Sequence, residues 1–257
     1  MDKTSLGDRM KGYEAIPKNY LMRRQPVIIR LDGKAFHSFT RGFDKPFDNE
    51  FIAAMQSTMK YLCENIQGCV LGYTQSDEIT LVLCDYQKLD TDAWFGYNVQ
   101  KMVSVSASMA TLAFRNGLIE AMCSLMKTDV KAYKRKFPVF AKAIDKGAFF
   151  DARCFTLSTA EVNNCLLWRQ QDATRNSIQA LAQSLYSQKQ LEGINTKQLQ
   201  DKMFTEKGVN WNDLPTAKKR GTCCVNRPDL GWQIDFEIPI FSQDPKYVNS
   251  RITFKED

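Results

Sequence analysis

His37 is the only histidine in the chain. That excludes any mechanism built on two imidazoles and makes a Ser-His-Asp triad a poor fit. The eight cysteines (Cys63, Cys69, Cys84, Cys123, Cys154, Cys165, Cys223 and Cys224) include no CxxC pair of the kind that usually marks structural zinc. Without a secretory signal a disulfide framework is a poor reading too, and reduced, mostly buried thiols are expected. No apolar run approaches a membrane span, and Met1-Asp2-Lys3-Thr4 has no signal-peptide pattern, so the expected location is the cytoplasm. Internal repeats and low-complexity linkers are absent as well.

What is present suits a soluble globular protein: 257 residues, 44% hydrophobic and 25% charged, enough for a large core. The formal charge of +6 permits nucleic acid as a partner without requiring it. Residues 1–25 are polar and read as an arm or short helix laid over something else, with Leu6, Met10 and Tyr13 as its contacts.

Val27 to Leu31 reads as a buried strand that stops at Asp32, where Gly33 allows a close turn whose following amides can face a phosphate. A helix starts near Asp48, a natural cap, and ends by Gly68. Cys69–Tyr73 and Ile79–Cys84 are short apolar runs joined by the turn Gln75-Ser76-Asp77-Glu78, a hairpin signal. A second helix is expected over about Asp92–Asn116, stopped by Gly117, followed by a basic stretch and a fourth strand over Ala148–Leu157. Strand, helix, strand, strand, helix, strand is the split βαβ pattern of ferredoxin-like folds. A right-handed crossover makes the first two strands parallel with the third between them, which brings Asp32 and Asp77 together.

Beyond residue 157 the capping-box pattern Ser158-Thr159-Ala160-Glu161 opens a helix to about Tyr186, a shorter helix covers Thr196–Lys207, and strand-like alternation follows. The fold class is therefore α+β: a ferredoxin-type βαββαβ core over residues 1–157 and an α/β extension over 158–257 packed on it.

Two carboxylates and a glycine carbonyl suit Mg²⁺, which prefers oxygen donors and shares them with phosphates. Paired ions activate an attacking hydroxyl and stabilise a leaving oxygen without histidine, which points to phosphoryl or nucleotidyl transfer. From pattern alone the same aspartates also read as turn residues. Lys45 and Lys101 are candidates to neutralise a triphosphate, or else solvated lysines. His37 suits contact with a base or phosphate as well as a structural hydrogen bond. Ser76 reads better as a turn residue than as a nucleophile, since no base adjoins it. Lys131-Ala132-Tyr133-Lys134-Arg135-Lys136-Phe137 interleaves charge with aromatics, which fits RNA or a solvated basic loop. Lys218-Lys219-Arg220 is a weaker patch.

Taken in order, Leu6-Gly7-Asp8-Arg9-Met10-Lys11 with Tyr13-Glu14, Arg30-Leu31-Asp32-Gly33-Lys34-Ala35-Phe36-His37-Ser38-Phe39, Lys45-Pro46, Ser76-Asp77-Glu78, Phe150-Asp151-Ala152-Arg153, Trp168-Arg169-Gln170 and Arg220-Gly221 resemble the tRNA(His) guanylyltransferase superfamily. The resemblance implies a palm-like catalytic domain that extends RNA 3′-to-5′. It implies Asp32 and Asp77 as metal-binding carboxylates, with the Gly33 carbonyl as a further ligand and Glu78 as a supporting acid. Gly33, Lys34, Ala35, Phe36, His37 and Ser76 would line a nucleoside triphosphate, with Lys45 and Lys101 on its phosphates. Two Mg²⁺ ions, ATP and GTP as substrates, tRNA as partner and a homotetramer are implied as well.

Where eukaryotic members carry His-Ile-Asn-Asn-Leu-Tyr-Asn-Thr, this chain has Thr174-Arg175-Asn176-Ser177-Ile178-Gln179-Ala180-Leu181. That departure points to the bacterial or archaeal-type branch, which repairs 5′-truncated tRNA by templated addition. The competing readings are a tRNA(His) guanylyltransferase adding a single G, a palm-domain nucleotide cyclase, and a non-catalytic tRNA-binding protein.

Overall fold

Apolar runs along Val27–Gly33 (β1), Cys69–Gln75 (β2) and Glu78–Leu83 (β3), with Phe150–Thr156 (β4) at their side, build the centre of an antiparallel sheet in the computed structural model, which describes residues 4–254. Among the described residues the α-helices are, in chain order, α1 (Ser5–Ala15), α2 (Phe36–Phe39), α3 (Asn49–Asn65), α4 (Val99–Thr128), α5 (Val130–Lys146), α6 (Thr159–Leu185), α7 (Gln188–Leu191), α8 (Thr196–Lys207), α9 (Thr216–Arg220) and α10 (Lys246–Asn249). Two last strands, β5 (Thr222–Arg227) and β6 (Gly231–Asp235), extend the sheet, whose order is β4-β1-β3-β2-β5-β6. The first four strands thus have the expected ferredoxin-like order, with β3 between the parallel pair β1 and β2.

The two faces of β1 bury different cores. Val27, Ile29 and Leu31 pack against α3, α4 and α5 through Met59, Leu62, Phe114 and Phe140. Ile28 joins Leu71, Tyr73 and Val82 under α6, whose Val162 and Leu166 are fully buried, with Phe241 and Val248 closing the layer. A smaller cluster, centred on Leu181, Met203 and Trp211, joins α6 to α8. All eight cysteines are free; Cys63, Cys84, Cys223 and Cys224 are buried, whereas Cys123 is exposed.

Several local expectations need correction. The second helix does not stop at Gly117. It runs on to Thr128, because Gly117 is where α4 crosses α3, and a β-carbon there would lie 3.1 Å from both Cα and the carbonyl oxygen of Ala54. Its start is later than expected, since the turn Trp94–Tyr97 intervenes and Asn98 caps the helix by accepting from the Lys101 amide. Gly117→Leu is accordingly expected to force the helices apart and cost about 1–3 kcal/mol, read as a lowered midpoint in thermal denaturation. The basic stretch is neither strand nor loop but the helix α5, begun by Asp129 accepting from the Ala132 amide. Ser158 precedes α6 as expected, yet its side chain makes no cap bond and the capping box does not form. Leu6, Met10 and Tyr13 on α1 are 56%, 44% and 64% exposed and are not the contacts of the arm; Leu21, which packs against the core, and Arg23, which pairs with Asp85, lay its later part over the fold.

Candidate active site

The end of β1 and the β2–β3 turn are joined by main chain: the Gly33 amide donates to the Asp77 carbonyl at 3.1 Å. The turn tightens through Ser76, whose φ is +54°, whose hydroxyl donates to Asp77 Oδ1 at 3.1 Å, and which is followed by a Thr74 hydroxyl bond to the Glu78 carbonyl at 2.8 Å. After Gly33, the Lys34 amide donates to Phe149 O and Ala35 turns left-handed into α2. The Phe36 ring then folds back over Gly33, so close that a β-carbon there would sit 2.3 Å from it. That ring is fixed by Phe39, Phe51, Phe114 and Phe150, all with centroids 5.0–6.1 Å away. An aromatic core thus sets the turn that follows Asp32.

Asp32 and Asp77 are therefore neighbours, and their electrostatics record it. Burial pushes the Asp32 carboxyl above its ordinary range, and the charges of Asp77, Glu78 and Asp151 push it further. Asp77 is also raised, chiefly by burial, against the hydrogen bonds of its own backbone and Ser76. Two desolvated acids that repel one another form a site whose charge calls for a cation. Among the described residues no three His, Cys, Asp or Glu side chains form a closed metal cage. An open carboxylate pair that leaves room for phosphate oxygens is what suits Mg²⁺.

Asp77 also borders a cleft of about 520 Å³, large enough for a nucleotide. Its walls come from α2 and the following loop (Phe36, His37, Lys45, Phe47), the hairpin (Thr74, Gln75, Ser76), α6 (Asn176, Ser177) and α9 (Lys218). Of the expected nucleotide-binding residues, Phe36, His37, Lys45, Ser76 and Asp77 line it. Asp32, Gly33, Lys34 and Ala35 lie beside it on the same turn without lining it. Lys101 is not brought there: β3 runs away from Asp77, and the first turn of α4, which follows at the far end of the sheet, holds Lys101 5.7 Å from the Phe95 ring.

Glu78 receives a definite place. Arg30 donates to its Oε1 at 2.8 Å and the buried Arg169 to its Oε2, while Arg169 also donates to Asp172 at 2.9 Å. Glu78 thereby fastens α6 to the sheet directly behind Asp32, its partner in register. The basic stretch on α5 also turns inward in part: Lys136, only 8% exposed, bridges Asp44, Asp48 and Glu50, and Arg135 grips Asp44. Arg169 and Lys136 escaped a reading by composition because nothing local distinguishes a buried, paired cation from a solvated one.

A family model for tRNAHis guanylyltransferase (Thg1) matches residues 7–158, a span that includes β1, the hairpin and β4. The chain belongs to the tRNA(His) guanylyltransferase family. Members are nucleotidyltransferase-type enzymes of tRNA processing. A bacterial tRNA(His) guanylyltransferase-like protein solved in complex with ATP is 45% identical and superposes with a TM-score of 0.85, over 96% of this chain and 99% of that one. A second such bacterial structure, in complex with GTP, is 38% identical with a TM-score of 0.75, again over 96% and 99%. The tRNA(His) guanylyltransferase of Candida glabrata is 24% identical over 218 residues, 79% of this chain and 84% of the relative. Family membership thus bears out the resemblance read from the ordered motifs.

Proposed function

We propose that this enzyme repairs the 5′ end of truncated tRNA by adding nucleotides 3′-to-5′ against the opposite strand. The observation that carries the reading is the joining of Asp32 and Asp77, through the Gly33–Asp77 bond, at the rim of a nucleotide-sized cleft. A 5′-monophosphate oxygen of the RNA first attacks the α-phosphate of ATP or GTP and pyrophosphate leaves. The 3′-hydroxyl of the incoming nucleotide then attacks the activated 5′-phosphate and the nucleoside monophosphate departs. Both steps build negative charge on phosphoryl oxygens, the charge that preorganised cations are suited to stabilise.

Mg²⁺ would be held by the Asp32 and Asp77 carboxylates and the Gly33 carbonyl, and when bound it supplies the positive charge that phosphoryl transfer needs. Lys45, Lys218 and His37 all line the cleft, and the two lysines would face the phosphates of a nucleotide bound there. The bacterial relatives solved with ATP and GTP support the choice of nucleotides, and the altered segment Thr174–Leu181 supports templated repair. Assembly as a homotetramer in the cytoplasm is part of the proposal; the exposed Leu6, Met10 and Tyr13 of α1 would gain a partner there.

The single-G reading keeps a claim through the family model. One assay separates the two: incubation with Mg²⁺, NTPs and a 5′-labelled tRNA lacking its first nucleotide, with the opposing base varied. Addition of the complementary nucleotide in each case is expected. Addition of G whatever the opposing base would move the enzyme to single-G addition, and tight tRNA binding without addition would favour a non-catalytic role.

A further inference from the structure

Trp168 lies outside the cleft, yet it stands beside the catalytic strand. Its side chain is 53% exposed although it sits on α6, between the buried Leu166 and Arg169. The Arg169 and Arg30 guanidinium carbons lie 4.5 Å and 5.6 Å from its ring centroid. Both guanidiniums end on one carboxylate, Glu78, a shared anchor that suits their standing side by side against one face of the indole. With the ring 53% exposed, that arrangement leaves indole surface free for a ligand.

Strand alternation fixes where that surface is. Arg30 and Asp32 project from the same side of β1, with Glu78 opposite Asp32 on β3 and Arg153 opposite Arg30 on β4. The indole over Arg30 is therefore displaced from Asp32 by about 7 Å along the strand, the rise of two residues. Arg153, half exposed and paired with Asp151, adds a cation at the open edge of this surface. A free aromatic face backed by two guanidiniums, next to carboxylates that call for a metal, is the chemistry that receives an unpaired or terminal base and the phosphate attached to it.

We propose that Trp168 is the stacking platform for the 5′-terminal base of the RNA substrate, holding that nucleotide's phosphate over Asp32 and Asp77. The inference rests on the tRNA reading above and specifies which surface grips the end being extended. Arg30 and Arg169 act as positioning residues: anchored on Glu78, they fix the tilt of the indole and so the height of the stacked base.

The test uses an acceptor-stem hairpin carrying 2-aminopurine as its 5′-terminal base. Wild-type protein is expected to quench the 2-aminopurine on binding. Trp168→Ala should abolish that quench and raise the KM for the hairpin about 5- to 150-fold, the range of one base–aromatic stack. ATP affinity should be unchanged, since the indole is not part of the cleft wall. Trp168→Leu, which keeps apolar bulk over the two arginines without a π face, should behave like the alanine variant, and Trp168→Phe should recover most of the quench. A quench that survives in the alanine and leucine variants, or one missing in the wild type, overturns the platform. Quenching by the wild type without nucleotide addition would uphold the platform and defeat templated repair, so the two proposals fail separately.

Discussion

Asp77→Asn is expected to reduce nucleotide addition by about a thousandfold or more while making the metal-free protein more stable. The loss corresponds to several kcal/mol of transition-state charge stabilisation removed with one carboxylate. The gain follows from the sign of the Asp77 shift. Its carboxyl is raised in the fold, so the folded state holds its proton to higher pH than the unfolded chain does, and ionisation lowers stability as pH climbs above the ordinary carboxylate range of about 4. An amide carries no such penalty. The stability difference should thus be present at pH 7 and fade as the pH falls through and below about 4, where the aspartate becomes protonated in both states. Adding Mg²⁺ should raise the melting temperature of the wild type and leave the variant unmoved, because only a site that binds the ion in the folded state gains from it. Thermal denaturation with and without Mg²⁺ checks both halves, and a folded variant that turns over within tenfold of wild type would remove Asp77 from the chemistry. Asp32→Asn should follow the same pattern, since Asp32 is shifted in the same direction.

The second large effect lies in the loop that carries Lys45. Lys136→Met should destabilise the protein by about 3–5 kcal/mol, the cost of leaving buried charges without their partner. Lys136 is the common counter-ion of Asp44, Asp48 and Glu50, and Asp48 in turn caps α3 through the Phe51 amide. Burial works against the lysine's charge, but the three carboxylates outweigh it and hold its pKa above the ordinary lysine range. Its contribution is therefore complete at neutral pH and is lost only as strongly alkaline pH passes the raised value. Asp44 is held well below the ordinary carboxylate range, first by Arg135 and then by Lys136, against the opposing effect of burial. Its contribution is present above about pH 4 and fades in stronger acid. In the variant the crowded carboxylates gain from protonation, so the gap to wild type should narrow as pH falls from 7 to 4. Urea unfolding across that range checks it; a constant gap, or one under about 1 kcal/mol at pH 7, would mean that the bridge is not what holds the loop.

These two sites mark where the sequence was readable and where it was not. Asp32 and Asp77 were legible because strand period two, a turn and the handedness of the crossover are local or nearly local signals that compose into one topology. The beginning of α3 at its Asp48 cap was legible for the same reason. Gly117 was not, because a glycine that ends a helix and one that admits a crossing helix are the same letter. Lys136 stands among basic neighbours whose letters suit a surface met by RNA or water, yet it turns inward because its partners arrive from α3 and the loop before it. Lys101 carries a charge suited to phosphate, but its helix starts at the end of the sheet that β3 reaches after leaving Asp77. The role of Glu78 needed Arg169, which lies 91 residues away along the chain.

Strand β2 has a further consequence for how the chain comes to be folded. One side of it pairs with β3 almost at once, but the other waits for β5, to which Gly72, Tyr73 and Thr74 are matched. The Tyr73 hydroxyl donates to the Arg220 carbonyl, 147 residues further on. While the intervening helices are being synthesised, the β2 amides and carbonyls facing that gap form a bare edge, open to a strand from any other nascent chain. Closing the sheet is thus a late, long-range event, of the kind that slows folding more than it alters stability. The hairpin that carries Asp77 is completed early, and the strand that shields its flank follows Arg220, 147 residues beyond Tyr73.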